Sequence, residues 1–259
     1  MVDEQTPLMD HLERLRQRLM IAGGCWLICF FALLSVAGSL FDWVSASLQQ
    51  ALPAGSSVVF LSATEPVLTY LTIAAVTALI VSLPVILWQL WMLAAAAFYP
   101  QKLGHGLAFV LISYLCFLVG AWAGFSYVFP AIIKVLLQMG SDPGGLDAMI
   151  SMADYLSLAL KMMIAFGMVC ELPMVMIVLA RMRLVDRSWF IAKRKYMIIV
   201  GFVFGAVVTP GPDVISQCSI AIPFVILYEV GIILCGFFSV TKVEVRQRAS
   251  TFGDASGGF

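Results

Sequence analysis

The chain has almost no histidine and little charge. Of its 259 residues only two are His, His11 and His105, and 12% are Asp, Glu, Lys or Arg. Two histidines so far apart make no imidazole-based metal site. Lys+Arg and Asp+Glu are equal at 15 each, so no net charge draws the chain to nucleic acid. There is no H-E-x-x-H, no G-x-S-x-G and no P-loop. With these signatures missing, and with connections too short for a soluble domain, no enzyme and no cofactor are expected. No internal repeat is present. Nor are there segments of about ten residues with alternating polarity, the mark of a transmembrane barrel.

All six cysteines (Cys25, Cys29, Cys116, Cys170, Cys218 and Cys235) fall within apolar runs. They read as small packing residues. Cys25 and Cys29 share a helix face, but no further ligand accompanies them, and no disulfide framework is implied.

What the chain does have is apolar length. It is 62% hydrophobic with mean hydropathy +1.00, more than a soluble protein of this size could hide. Several uncharged runs exceed the roughly 20 residues that cross hydrocarbon. The fold class is therefore an all-α polytopic membrane protein, one membrane domain over residues 1–259. Six transmembrane helices are expected, at about 20–41, 67–90, 107–133, 155–180, 196–209 and 214–240. Residues 1–19 form an amphipathic cytoplasmic helix, with Leu8, Leu12, Leu15 and Leu19 at helical spacing among Arg14, Arg16 and Arg18. Residues 241–259 are a cytoplasmic tail. The second apolar run has no charge between Glu65 and Lys102 and contains Pro84, which predicts a kink. The uninterrupted part of the fifth, Tyr196–Val208, spans only about 20 Å as a helix.

Orientation follows from the basic residues. With both termini and the 2/3 and 4/5 loops on one side, that side holds thirteen of the fifteen Lys and Arg. The positive-inside rule makes it the cytoplasmic side. Pro53, Pro210 and Asp213 fall in the opposite, outer turns, where Asp213 is placed to cap span 6.

One residue breaks the apolar pattern most sharply. Glu171 is the tenth of nineteen positions between Lys161 and Arg181, and the other eighteen are uncharged. A charge at such depth costs roughly 2.5–3.5 kcal/mol on insertion scales. Pro173, two residues on, cannot donate to the Val169 carbonyl, so a free acceptor and a carboxyl share one helical turn. Gly167, one turn back, lets another helix or a guest approach. Two readings follow: a functional polar site, or a hydrogen bond that glues span 4 to a neighbour. Glu229 is a second carboxyl, on span 6, either functional or paired near an interface. Three function classes can use these acids: a receptor in a protein translocase, a proton-coupled small-solute transporter titrating Glu171 and Glu229, and a membrane scaffold. Transporters commonly carry repeats, which this chain lacks.

Several segments resemble the TatC family, the multispanning receptor subunits of the twin-arginine translocase. Pro7–Arg18 (PLMDHLERLRQR) is similar to the family's H-L-x-E-L-R-x-R, and Thr64-Glu65-Pro66 to its T-E-P before span 2. Phe166–Pro173 (FGMVCELP) resembles F-G-x-x-F-E-x-P, and Thr209–Gln217 (TPGPDVISQ) resembles its T-P-x-D-x-x-S-Q turn. Ala221-Ile222-Pro223 and Tyr228-Glu229 match the span that follows. Together they cover about residues 5–242.

The resemblance implies a non-enzymatic receptor in the bacterial cytoplasmic (inner) membrane. It implies a concave, cup-like bundle with spans 5 and 6 short. Twin-arginine signal peptides of folded cargo would dock at the cytoplasmic face, and single-span TatA/TatB-type proteins would pack against the membrane face. Transport would be driven by the proton-motive force, in a larger complex with other copies of the chain. Glu171, Gly167, Pro173 and Glu229 would then be the intramembrane polar site, and Asp10, Glu13, Arg16 and Lys102 the signal-binding region. Two positions depart from the pattern. Arg14 and Lys102 stand where the family has glutamates expected to pair with the signal's arginines, and Leu93 and Ala96 replace its nearby aromatic and proline. Glu13 and Asp10 are the nearest acids left, and Glu13 points about 100° away from Arg14 on a helix.

Overall fold

The computed structural model describes residues 6–49, 57–59, 62–98, 106–140, 149–182, 184–209 and 214–238. Pro53, Lys102, Pro210, Asp213 and the tail 241–259 lie outside these described residues. Among them the chain is almost wholly helical. Helix α1 runs Thr6–Leu34 without a break between the amphipathic segment and span 1, and α2 follows at Ala37–Gln49. Helix α3, Glu65–Phe98, passes through Pro84 as one helix, and α4 is Gly106–Ala123. A π-helical turn at Gly124–Val128 joins α4 to α5, Phe129–Gly140. Helix α6 is Met152–Arg181, α7 Arg187–Ala192, α8 Arg194–Val208 and α9 Val214–Phe238.

Among the described residues five stretches are long and apolar enough to cross a membrane: Glu13–Leu34, Glu65–Leu93, Gly106–Leu136, Met152–Arg181 and Val214–Phe237. Helix α8, with 15 residues, reaches about 22 Å and is the short sixth. Shortness belongs to span 5 alone. The sixth span was expected to be short too, but α9 has 25 residues and suffices for a ~30 Å core.

Two strands were not foreseen. Ser57–Val59 (β1) pairs in parallel with Met149–Ser151 (β2), in register Ser57 to Met149. The pairing ties the segment before α3 to the start of α6. Ser151 strengthens the join, since its hydroxyl accepts from Asp154 N as the N-cap of α6 and donates to Glu65 Oε1 at 3.4 Å. Glu65 therefore opens α3 while its side chain fixes the neighbouring helix start.

The main core lies where α3, α5, α6 and α9 meet, around Ile73, Phe129, Ile132, Leu156, Met162 and Ile220. A second cluster, Met176, Ile177, Phe190, Tyr228, Ile232 and Cys235, locks α7 onto α6 and α9. Helix α1 lies along α3, held by Trp26 Nε1 donating to the Ala75 carbonyl at 3.2 Å and Arg18 donating to Gln89 Oε1 at 3.3 Å. Its other flanks stay open, with Leu19, Ile28 and Phe31 exposed, as a helix does when lipid completes its surroundings.

Candidate intramembrane polar site

The site is built on the contact between α4 and α6, where small residues bring two backbones together. A Cβ on Gly120 would lie 2.6 Å from the Phe166 carbonyl oxygen, and one on Gly124 would lie 2.8 Å from that of Met162. A Cβ on Gly167 would lie 2.5 Å from the Phe117 ring. Gly120 and Gly124, four apart, form the close-approach face that membrane helices use when apolar burial cannot drive association. Gly167 therefore takes a neighbour within the chain, Phe117. It is not open to a partner helix, because the buried Phe117 ring already fills its notch.

This packing carries Glu171 to Ser113. Both face the α4–α6 seam, with the Ser113 hydroxyl placed toward the carboxyl as its donor. Ser113 is 1% exposed, and Glu171 is half-buried. Among the described residues, though, neither Glu171 Oε1 nor Ser113 Oγ makes a contact of full hydrogen-bond geometry. A buried polar group left so costs about 1–3 kcal/mol. One turn away Cys116 Sγ donates to the Cys170 carbonyl at 3.0 Å, so a thiol serves the backbone carbonyl next to Val169. Pro173 is buried on a different flank of α6, where Gly231 of α9 brings its helix close.

Glu229 belongs elsewhere. Its Oε2 pairs with Arg194 Nη2 at 2.7 Å, joining α9 to the first residue of α8. Adjacent Tyr228 donates its hydroxyl to the Phe190 carbonyl at 2.8 Å. Glu171 and Glu229 were grouped in one polar site. They engage different helices: the seam that holds Glu171 is formed with α4, whereas Glu229 is tied to α8.

The surface residues singled out for signal binding are only partly placed. Asp10 lies in α1, where Glu13 and Arg16 are exposed. Sequence reasoning missed Ser113, Cys116 and Arg194. The first two carry no charge or motif that separates them from packing residues, and the basic run at Arg194 read as a loop. Among the described residues no cluster of three or more His, Cys, Asp or Glu could hold a metal.

Fold and site together define a polytopic helical membrane protein with a seam-buried carboxyl and no catalytic constellation among the described residues. Residues 10–223 match the model of the family described as Sec-independent protein translocase protein (TatC). The chain is 35% identical over 255 residues to the Sec-independent protein translocase protein TatC of Desulforapulum autotrophicum, covering 97% of this chain and 92% of the relative. It is 32% identical over 237 residues to that of Escherichia coli K12, covering 92% and 91%. A crystal structure of a twin-arginine translocase receptor, TatC, superposes with TM-score 0.79 at 32% identity, covering 88% of this chain and 99% of that one. The chain belongs to the TatC family. It is thus a translocase component and not an enzyme, and the all-α, multispanning reading of the sequence holds.

Proposed function

We propose that this chain is the receptor core of a twin-arginine translocase. In this reading it sits in a bacterial inner membrane with both termini cytoplasmic, and binds the signal peptides of folded cargo on the face that carries the start of α1. It recruits single-span TatA/TatB-type helices and works with other copies of itself in a larger complex driven by the proton-motive force.

The observation that carries the reading is the unmet pair at the α4–α6 seam. Glu171 Oε1 and Ser113 Oγ are buried, and among the described residues their contact falls short of full hydrogen-bond geometry, so a polar group on an incoming transmembrane helix or inserted signal would make a better hydrogen bond than the free receptor does. Such a contact gains more than one at the surface, because no water competes for it. A photoreactive residue at the exposed position 168, three residues before Glu171 and with the carboxyl kept, tests this. An adduct with a small single-span protein, lost when export of folded twin-arginine cargo is lost, supports the reading. Solute uptake with no such adduct would replace it by the transporter.

The transporter reading is the weaker one. It needs two titrating acids, and Glu229 already has Arg194 at 2.7 Å. A scaffold would give the same adduct without export. At the surface, cationic Arg14 and Lys102 in place of carboxylates favour altered twin-arginine recognition.

A further inference from the structure

Helices α7 and α8 carry an unusual run: Arg187, Trp189, Lys193, Arg194, Lys195 and Tyr196. Two of its cations are used within the fold. Arg194 is paired with Glu229, and the Arg187 guanidinium lies on Gly236 of α9, with Cζ 3.2 Å from where a Cβ would be. The two lysines behave differently. Lys193 Nζ sits 5.9 Å from the Trp189 ring centre and 5.0 Å from that of Tyr196, and Lys195 Nζ sits 5.2 Å from Tyr196. Lys193 therefore lies between two aromatic faces and Lys195 beside one, in a single contiguous patch.

Trp189 and Tyr196 are each 50% exposed, and the backbone beneath them is fixed. Phe190 is buried in the α6–α9 cluster, and its carbonyl accepts from Tyr228. The patch rests on that anchored backbone, with Lys195 exposed and Lys193 half-buried between the rings. Its level is set by the spans, since α6 ends at Arg181 and α8 starts at Arg194. Both ends meet the same membrane boundary, the level at which Trp and Tyr gather.

We propose that Trp189, Lys193, Lys195 and Tyr196 form a headgroup clamp for an anionic phospholipid. The lysines would receive its phosphate and the two rings would bracket its glycerol end. Charge complementarity selects the occupant: the patch offers two ammonium groups against one acid of its own segment, Asp186 at the N-cap of α7, and Glu229 of α9 is committed to Arg194. The clamp fixes this end of α8 at the headgroups, so the mismatch of its short span falls at the Thr209 end. None of this requires the translocase reading, since it concerns lipid alone.

Native mass spectrometry of the purified full chain, delipidated and then given phosphatidylglycerol or phosphatidylcholine, tests the clamp. The intact protein is expected to retain phosphatidylglycerol preferentially. K193Q/K195Q should cut that preference about 5- to 25-fold, at roughly fivefold per lysine near an anionic surface. W189L/Y196L should also lower it, with both lysines kept. R14Q/R16Q, which removes two exposed cations of α1, should leave it unchanged. Equal retention of the two lipids overturns the proposal. So does an equal loss in R14Q/R16Q, which would reveal bulk charge only, or displacement of the lipid by millimolar inorganic phosphate. An unchanged melting temperature shows that each variant is folded. A variant that melts early is replaced by K193R/K195R, which must keep the preference.

Discussion

Arg194 Nη2 and Glu229 Oε2 meet at 2.7 Å and join the start of α8 to the body of α9. The short helix has Gly201 under Phe224 and Gly205 against the Gln217 backbone, so the ion pair closes one end of a tight helical hairpin. Gln217 Nε2, donating to the Phe202 carbonyl at 2.8 Å, closes the other. Both members are partly exposed, so the pair is worth only about 1 kcal/mol or less in a screened setting. R194Q and E229Q should each lower the melting temperature in detergent by a few degrees, and the swap R194E/E229R should restore most of the loss. Transport that survives the swap would remove Glu229 as a proton carrier.

Glu171 should behave oppositely to a structural acid. Its Oε1 makes no contact of full hydrogen-bond geometry among the described residues, so E171A removes an incompletely satisfied buried group and should leave stability unchanged or raise it by up to about 1–3 kcal/mol. Export of folded cargo should fall at least about tenfold, the equivalent of one lost hydrogen bond to a charged group. A large drop in melting temperature with export retained would make Glu171 internal glue instead. Thermal melts and a cargo-export assay on the same variant decide.

The α4–α6 seam should be intolerant of any Cβ, but not uniformly. G120A would meet the Phe166 carbonyl and Cys170 Sγ, and backbone cannot move aside, so a cost of about 1–3 kcal/mol is expected. The three atoms nearest a Cβ in G167A all belong to the Phe117 ring, so F117L in the same chain should recover part of its loss. A double-mutant cycle in the unfolding midpoint measures the recovery.

Ser151 has two tasks, capping α6 and binding Glu65. S151A should cost about 1 kcal/mol through the cap. S151D should keep the cap but set a carboxylate against Glu65, and should be the less stable of the two. Chemical unfolding of both variants gives the order.

Signal recognition tests the two surface departures. R14E/K102E should raise affinity for a twin-arginine signal peptide about 10- to 100-fold, the range for charged hydrogen bonds. The comparison is a titration of one peptide against both proteins. Binding by the unmodified chain equal to that of the double variant would mean that recognition uses other groups, with Glu13 the first to replace.

Much of the fold was legible because the bilayer restricts the choices. An apolar run in hydrocarbon must satisfy its own backbone, and only a helix does so without a partner. The uncharged stretches and the one-sided lysines and arginines therefore gave span positions and an expected orientation without tertiary information. The ends were less legible, because a helix need not stop where hydrocarbon does. Helix α3 continues to Phe98 with no charge in the sequence to mark the difference, and α5 runs through Lys134, the charge that set the expected span end, to Gly140. The β1–β2 pairing rests on two three-residue segments far apart in the chain, too short to show alternation.

The sequence by itself determined that Glu171 lies in a membrane span beside Pro173 and Gly167, and that a buried carboxyl needs an explanation. Only the tertiary structure decided what surrounds it. Gly120 and Gly124 let α4 approach until Ser113 faces the carboxyl, Phe117 fills the Gly167 notch, and Arg194 claims Glu229. Depth in a membrane is set by position along one helix, which a sequence records directly. A neighbour across a seam is set by the packing of two helices, whose register depends on every side chain between them.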